Sequence, residues 1–201
     1  CPSCGEWNTL IEEVRTPVKA AVALSASGRT ADIRPLREIH PEGEQRTRTG
    51  LSELDRVLGG GIVRGALMLI GGDPGIGKST LLLQICEQVG REMPILYVSG
   101  EESQRQIKLR ADRLGVHSDN LAVLCETDME TVIGAMQEYR PGLLILDSIQ
   151  TMCLAGLSSS PGSVTQVREC SAAVMRAAKA ADIPVFIVGH VNKDGAIAGP
   201  K

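Results

Sequence analysis

The segment GDPGIGKST at residues 72–80 constrains the fold more than any other part of this 201-residue chain. It fits the pattern G-x-x-x-x-G-K-[ST], in which glycines let backbone N–H groups curl around a phosphate chain. The apolar run ALMLIG precedes it, and the stretch TLLLQICEQVGRE follows it. A strand, a phosphate loop and a helix in this order predict an α/β fold that binds ATP at a helix N-terminus.

Every residue of this loop is a candidate for contact with ATP. Lys78 is predicted to reach the β- and γ-phosphates, and the hydroxyl of Ser79 is predicted to ligate Mg²⁺. A chance glycine-rich turn would not be expected between a strand and a helix in this order. The other predicted contacts are Gly72, Asp73, Pro74, Gly75, Ile76, Gly77 and Thr80.

From about Thr47 onward, short apolar runs alternate with helical patterns, which predicts a parallel sheet with helices on both faces. Because the apolar runs are nearly continuous, each strand is predicted to be covered on both faces. Strands are predicted at 66–71, 95–99, 121–125, 143–147 and 184–189, and helices at 79–91, 104–114, 129–139 and 164–181.

Polar side chains follow three of these strands, at the sheet edge where ligands bind in open α/β folds. Asp147 ends the run LLILD and is predicted to hold Mg²⁺ through water or through Ser79. Glu101 and Glu102 follow the second strand, and either is a candidate general base for hydrolysis, with Glu101 favoured because it is nearer the strand. A solvated acidic helix start is the alternative. His190 is a candidate contact for the γ-phosphate, although a lone histidine at a strand end is often structural.

The composition limits how nucleic acid could bind. The net charge of −3 supplies no global attraction for DNA, and the four aromatic residues are too few for stacking on bases to be the expected mode. The basic residues of the helix at 104–114 favour a solvated helical face over a DNA-binding stripe. No apolar run approaches the roughly 20 residues of a membrane span, and the cysteines do not form a secreted framework, so we expect a cytoplasmic protein without a membrane partner.

The chain opens with Cys1 and Cys4 in a CxxC pair. An isolated pair usually means two ordinary cysteines, and a structural zinc site needs four ligands. Gly5 and Trp7 favour a zinc-binding element over that reading only together with the family resemblance given below, and Cys1 and Cys4 can supply only half of a site.

Taken together, these stretches resemble the bacterial RadA/Sms DNA-repair proteins, a family of RecA-like ATPases. The resemblance covers nearly the whole chain except a linker. It is carried by CPSCGEWNTLIEE, TGLSELDRVLGGGIVRGALMLIGGDPGIGKSTLLLQ, YVSGEES, LLILDSIQT, SPGSVTQVREC and GHVNKDGAIAGPK.

The resemblance implies a RecA-like P-loop core that hydrolyses ATP with Mg²⁺ and assembles as a homo-oligomeric ring. The ring would act on single-stranded or branched DNA and promote branch migration during recombinational repair. The family roles fall on Lys78 and Ser79 in the phosphate loop, Glu101 beside the attacking water, Asp147 on the metal and His190 as sensor. The loop at 155–165 would face DNA, with Arg168 just beyond it.

The resemblance also implies a domain organisation. Residues 1–14 would be part of a four-cysteine zinc finger that holds Zn²⁺ in the intact protein, residues 15–46 a linker, and residues 47–201 an incomplete RecA-like core. The family continues with further core strands, a KNRFG-type element and a Lon-protease-like domain, which predicts that this chain is part of a longer protein.

Two other functions would use the same nucleotide site. The first is the function of a circadian-clock-type or replicative-helicase relative with the same RecA-like core. Two segments argue against this function: the opening CPSCGEWN and the ending GHVNKDGAIAGPK. The other is a non-hydrolysing RecA-like regulator, in which ATP only sets the conformation. ATP turnover stimulated by single-stranded DNA would separate a motor from a regulator.

Overall fold

The computed structural model describes residues 35–38 and 46–190. The predicted zinc ligands Cys1 and Cys4, most of the predicted linker and the segment after His190 lie outside the described residues. The chain divides into two units, Cys1–Glu42 and Gly43–Lys201. The described part of the first unit contains a 3₁₀ turn, Leu36–Glu38.

The described part of the second unit has an α/β fold with a five-stranded parallel sheet, which confirms the predicted fold class. Its strands are β1 (Leu67–Gly72), β2 (Ile95–Ser99), β3 (Leu121–Cys125), β4 (Leu143–Asp147) and β5 (Val185–His190). Its helices are α1 (Ser52–Val57), α2 (Lys78–Val89), α3 (Gln104–Leu114), α4 (Met129–Tyr139) and α5 (Val164–Ala181).

Most of these bounds agree with the prediction, because local capping signals mark where the helices begin. Ser103 caps α3 by accepting a hydrogen bond from the Gln106 amide, and the Gln106 side chain bonds back to the Ser103 amide. Asp128 caps α4 by accepting from the Thr131 amide at 3.0 Å. The short helix α1 was not predicted, and α2 ends at Val89 rather than Arg91, since Gly90 is a poor helix former.

The strand order is β1-β5-β4-β2-β3, and all four neighbouring pairs are parallel. The carboxyl ends of the strands therefore share one edge of the sheet. In this register Gly72 pairs with His190, and Ser99 pairs with Asp147. The phosphate loop and the end of β4 consequently flank the end of β5.

Alternate residues of the central strands enter two apolar clusters. Ile95 and Tyr97 pack with α2 and α3 on one face, whereas Leu96 and Val98 pack with α4 and α5 on the other. β2 and β4 are buried along their whole length. Each fully buried aliphatic side chain in them stabilises the fold by roughly 1.5–3 kcal/mol.

The prediction that every strand is covered on both faces is wrong for β1 and β3. Exposed and half-buried residues alternate along β1, and Leu69 is 54% exposed. β3 is only half-buried and ends in the exposed Cys125. Both strands lie at an edge of the sheet, where fewer neighbours among the described residues cover them. No helix in the described part of the chain is long and apolar enough to cross a membrane.

Candidate nucleotide-binding site

The phosphate loop joins β1 to α2 at the carboxyl edge of the sheet. Gly75 and Gly77 have φ angles of 79° and 103°, in the left-handed region that favours glycine. A Cβ atom added at either position would meet no atom within 4 Å. The loop therefore leaves open space beside its backbone, directly before the N-terminus of α2, as the binding of a phosphate chain requires.

Lys78 is the cation of this loop, and only 7% of its surface is exposed. Its ammonium group donates hydrogen bonds of 2.8 Å to the carbonyl oxygens of Gly72 and Asp73. Because an ammonium group has three N–H donors, one remains available for a phosphate oxygen. The two loop contacts hold the charge beside the glycine-lined space.

Glu101 and His190 meet at the same edge. Nε2 of His190 lies 3.2 Å from Oε1 of Glu101, and the Ser148 hydroxyl donates a hydrogen bond of 2.7 Å to the same oxygen. Since His190 pairs with Gly72 in the sheet, this cluster lies beside the strand end that leads into the phosphate loop. The structure thus brings Glu101 and His190 together with Ser148, a residue that the sequence did not single out.

Glu102 points elsewhere. Its carboxylate pairs with Arg110 of α3, and the two side chains are 26% and 21% exposed. The structure therefore separates the two candidate bases: Glu101 contacts the residues at the sheet edge, and Glu102 contacts α3. Helix α3 has no acidic residue in its first turn, so the acidic helix start is not observed. Arg105, Lys108 and Arg113 are exposed, as the predicted solvated helical face requires, whereas Arg110 is paired and only partly exposed.

Asp147 ends β4 and is 7% exposed. Its Oδ2 accepts a hydrogen bond of 2.6 Å from the hydroxyl of Tyr97. Burial and the adjacent Asp147 charge raise the pKa of Tyr97, so the phenol remains a donor at neutral pH. Sequence reasoning missed this contact. The contact could be predicted only from the fact that Tyr97 of β2 and Asp147 of β4 lie on the same face of the sheet. That fact is known only once the pairing of β2 with β4 is known.

The residues present fit Mg²⁺ bound together with a nucleotide. Among the described residues, no group of three or more His, Cys, Asp or Glu side chains could hold a metal. Mg²⁺ at nucleotide sites, however, uses one or two protein ligands and the substrate phosphates rather than an all-protein cage. The Ser79 hydroxyl at the start of α2 and the Asp147 carboxylate would supply these oxygen ligands, because Asp147 shares with Ile145 the face of the sheet that α2 covers. The predicted zinc site at Cys1 and Cys4 stays a prediction.

The loop predicted to face DNA is tied to α5 by Gln166, which is buried. Oε1 of Gln166 accepts from the Leu154 amide at 2.9 Å, and Nε2 donates to the carbonyl of Ser159 at 2.9 Å. Nearer the sheet, Nε2 of Gln150 donates to the carbonyl of His190 at 3.2 Å. The segment between β4 and α5 therefore makes contact both with the strand end at His190 and with the first turn of α5.

Two cavities lie at opposite ends of the sheet. One, of about 220 Å³, lies beside Glu101 and is lined by the ends of β2 and β3. The other, of about 840 Å³, lies at the amino edge and includes Met93, Pro94 and Gly142 in its lining. Of these two cavities, the first adjoins the residues described above, because Glu101 is part of its lining.

Comparison with known proteins places this site in a family. A family model described as an AAA domain matches residues 34–196. A protein named DNA repair protein RadA from Bacillus subtilis (strain 168) is 53% identical over the whole chain, which covers 45% of that protein. Proteins with the same name from Halalkalibacterium halodurans and Aquifex aeolicus are 54% and 47% identical over the whole chain, which covers 45% and 44% of them. The chain thus spans less than half the length of these curated relatives.

Proposed function

Because this chain belongs to the AAA domain family, and its relatives are named as DNA repair proteins, we propose that it is the ATPase core of a DNA-repair motor. The observation that carries the proposal is the convergence of the phosphate loop, Asp147 and the Glu101 cluster at one sheet edge. These are the parts that phosphoryl transfer requires: a cradle, a metal ligand and a group that orients water.

In this proposal, the backbone amides near Gly75 and Gly77 and the N-terminus of α2 bind the β-phosphate. Lys78 directs its remaining N–H donor to the phosphates and stabilises the negative charge of the transferring group. Ser79 and Asp147 would hold Mg²⁺. When bound, Mg²⁺ neutralises charge on the phosphate oxygens.

Glu101 is proposed as the general base that accepts a proton from the attacking water. Ser148 and His190 engage Oε1, whereas Oε2 receives no hydrogen bond from the described residues. The first oxygen is therefore anchored and the second is available to orient water. His190 would sense the γ-phosphate, since it joins the base to the strand that lies beside the phosphate loop.

The finer functions are also proposals. We propose that ATP turnover is stimulated by single-stranded or branched DNA, that the intact protein forms a homo-oligomeric ring, and that it promotes branch migration. The loop at 155–165 is the proposed DNA contact, because Gln150 joins the segment that leads into it to His190. The zinc half site at Cys1 and Cys4 and a cytoplasmic location are retained as predictions.

The test is ATP turnover by the protein at its natural full length, measured as phosphate release with and without single-stranded DNA. DNA should increase the rate, and Lys78→Ala should reduce it to background. Lys108→Ala is the matched control, because Lys108 is an exposed lysine of α3 that pairs with Asp112, and its loss should leave the rate unchanged. Wild-type turnover in Lys78→Ala would refute the assignment of the loop. Turnover that does not respond to DNA would contradict a DNA-stimulated motor, and ATP binding without turnover would favour the non-hydrolysing regulator.

A branched substrate tests the finer proposal. Extension of a heteroduplex joint, followed on a gel with one labelled strand, should require ATP and the intact Lys78. Extension by the Lys78→Ala variant at the wild-type rate would contradict a motor driven by this site.

A further inference from the structure

The hydroxyl of Tyr97 is a buried polar group that the proposed reaction does not use. Tyr97 is 1% exposed, and its ring packs in the apolar cluster beneath α2 and α3. Its hydroxyl donates a hydrogen bond to Oδ2 of Asp147, and this contact joins residues 50 positions apart in the sequence.

The sheet register explains how this contact forms. Tyr97 pairs with Ile145, and Ser99 pairs with Asp147. Alternate residues of a strand point to the same face. Asp147 lies two residues beyond Ile145, the partner of Tyr97, so Tyr97 and Asp147 are diagonal neighbours on the face covered by α2. Its long side chain reaches from the apolar layer to the carboxylate at the strand end.

The position of this donor is constrained by the packing of the Tyr97 ring. The packed ring prevents the hydroxyl from moving away from Asp147. The hydroxyl therefore stays hydrogen-bonded to Oδ2 of Asp147. Oδ1 of Asp147, in contrast, receives no hydrogen bond from the described residues.

We propose that Tyr97 is a positioning residue for Mg²⁺: its hydroxyl holds Oδ2 of Asp147 so that Oδ1 is presented to the metal ion that accompanies the nucleotide. This inference rests on the proposed function, because it requires Asp147 to act on Mg²⁺. Groups that orient a metal ligand through a hydrogen bond commonly change metal affinity by about 10–100-fold when they are removed.

The test is Tyr97→Phe in the full chain, with binding of a fluorescent ATP analogue measured during a Mg²⁺ titration and again in EDTA. Phenylalanine keeps the packed ring and removes only the donor. The Mg²⁺ concentration needed for half-maximal enhancement of binding should rise by about 10–100-fold, while binding in EDTA stays unchanged. Tyr139→Phe is the matched control, because Tyr139 is the second of the two tyrosines and is exposed at the end of α4.

Three results would overturn the proposal. If Tyr97→Phe needs the same Mg²⁺ concentration as wild type, Tyr97 does not position Asp147, although the proposed function of the site is unaffected. An equal loss of binding with and without Mg²⁺ would indicate a general packing defect. Wild-type binding that does not respond to Mg²⁺ would remove the metal role of Asp147, and with it the proposed function.

A double variant examines whether Tyr97 acts through Asp147. Asp147→Asn keeps an oxygen that can accept the Tyr97 hydrogen bond but removes the charge that binds Mg²⁺. If the phenol acts by orienting this carboxylate, Tyr97→Phe should cause no further loss of Mg²⁺ response in the Asp147→Asn background. Losses that add in the double variant would show that Tyr97 acts independently, and would overturn the proposal.

Discussion

Glu101 and Glu102 are adjacent in the chain but differ in their contacts, and this difference predicts opposite effects of the same substitution. In Glu101→Gln the amide oxygen can still accept hydrogen bonds from Ser148 and His190, because the side chain keeps its shape. The amide cannot accept a proton from water. Since a general base contributes about 10²–10⁴-fold to a rate, turnover should fall by that factor while ATP affinity stays unchanged.

The same change at Glu102 removes one charge of a partly exposed pair with Arg110, whose side chains are 26% and 21% exposed. Solvent screening limits the contribution of such a pair, so the free energy of unfolding should fall by about 1 kcal/mol or less. Turnover should stay within about threefold of wild type, because a change of about 0.7 kcal/mol in a barrier corresponds to that factor.

Three measurements on each variant separate these effects: phosphate release at saturating ATP, titration with a fluorescent ATP analogue, and urea unfolding. Glu101→Gln should lose turnover but not stability, whereas Glu102→Gln should lose stability but little turnover. If Glu102→Gln abolishes turnover and Glu101→Gln does not, the orientation of the two carboxylates cannot be the basis of catalysis, and the assignment of Glu101 is refuted.

Two further substitutions test the loop and a helix cap. Gly77→Ala should destabilise the chain by about 1–3 kcal/mol, because alanine is strained at φ 103°, and should weaken ATP binding. Gly115→Ala, directly after α3, is the control that should lower stability without changing ATP affinity. If Gly77→Ala binds ATP as tightly as Gly115→Ala does, the phosphate loop is not the binding site for the phosphates. Asp128→Ala should cost about 1 kcal/mol at pH 7 in urea unfolding, since Asp128 caps α4. Hydrogen bonds from the Thr131 side chain and amide lower the pKa of Asp128. The difference in unfolding free energy between wild type and Asp128→Ala should therefore be full above about pH 4 and shrink as the pH falls through the folded-state pKa. A difference that does not change with pH would contradict the role of Asp128 as a helix cap.

Local signals explain why much of the fold could be predicted. The apolar runs that form β2, β3 and β4 are bounded by polar, glycine or proline residues, and their observed bounds equal the predicted ones. Ser103 and Ser163 mark the starts of α3 and α5 by accepting hydrogen bonds from amides three residues later. These interactions lie within a few residues of each other, so a single sequence contains all the information that they need.

The exposed face of β1 could not be predicted in the same way. Its run ALMLIG is as apolar as those of the central strands, yet Leu67 and Leu69 are exposed. The apolar sequence of a strand does not reveal whether the strand lies at an edge or in the centre of the sheet, because that position depends on which strands pair. The strand order places β1 at an edge, and this order arises from contacts between distant parts of the chain.

The sequence by itself determined the phosphate loop, because the glycines, Lys78 and Ser79 act through backbone conformations and contacts within nine consecutive residues. Only the tertiary structure separated the contacts of Glu101 from those of Glu102, and only it showed what holds Asp147 and which side chains anchor Glu101. The contacts of Asp147 and Glu101 join residues 47, 50 and 89 positions apart. They exist because parallel pairing of β1, β5, β4 and β2 brings the ends of separate strands to one edge, an arrangement set by packing of the whole sheet rather than by any local pattern.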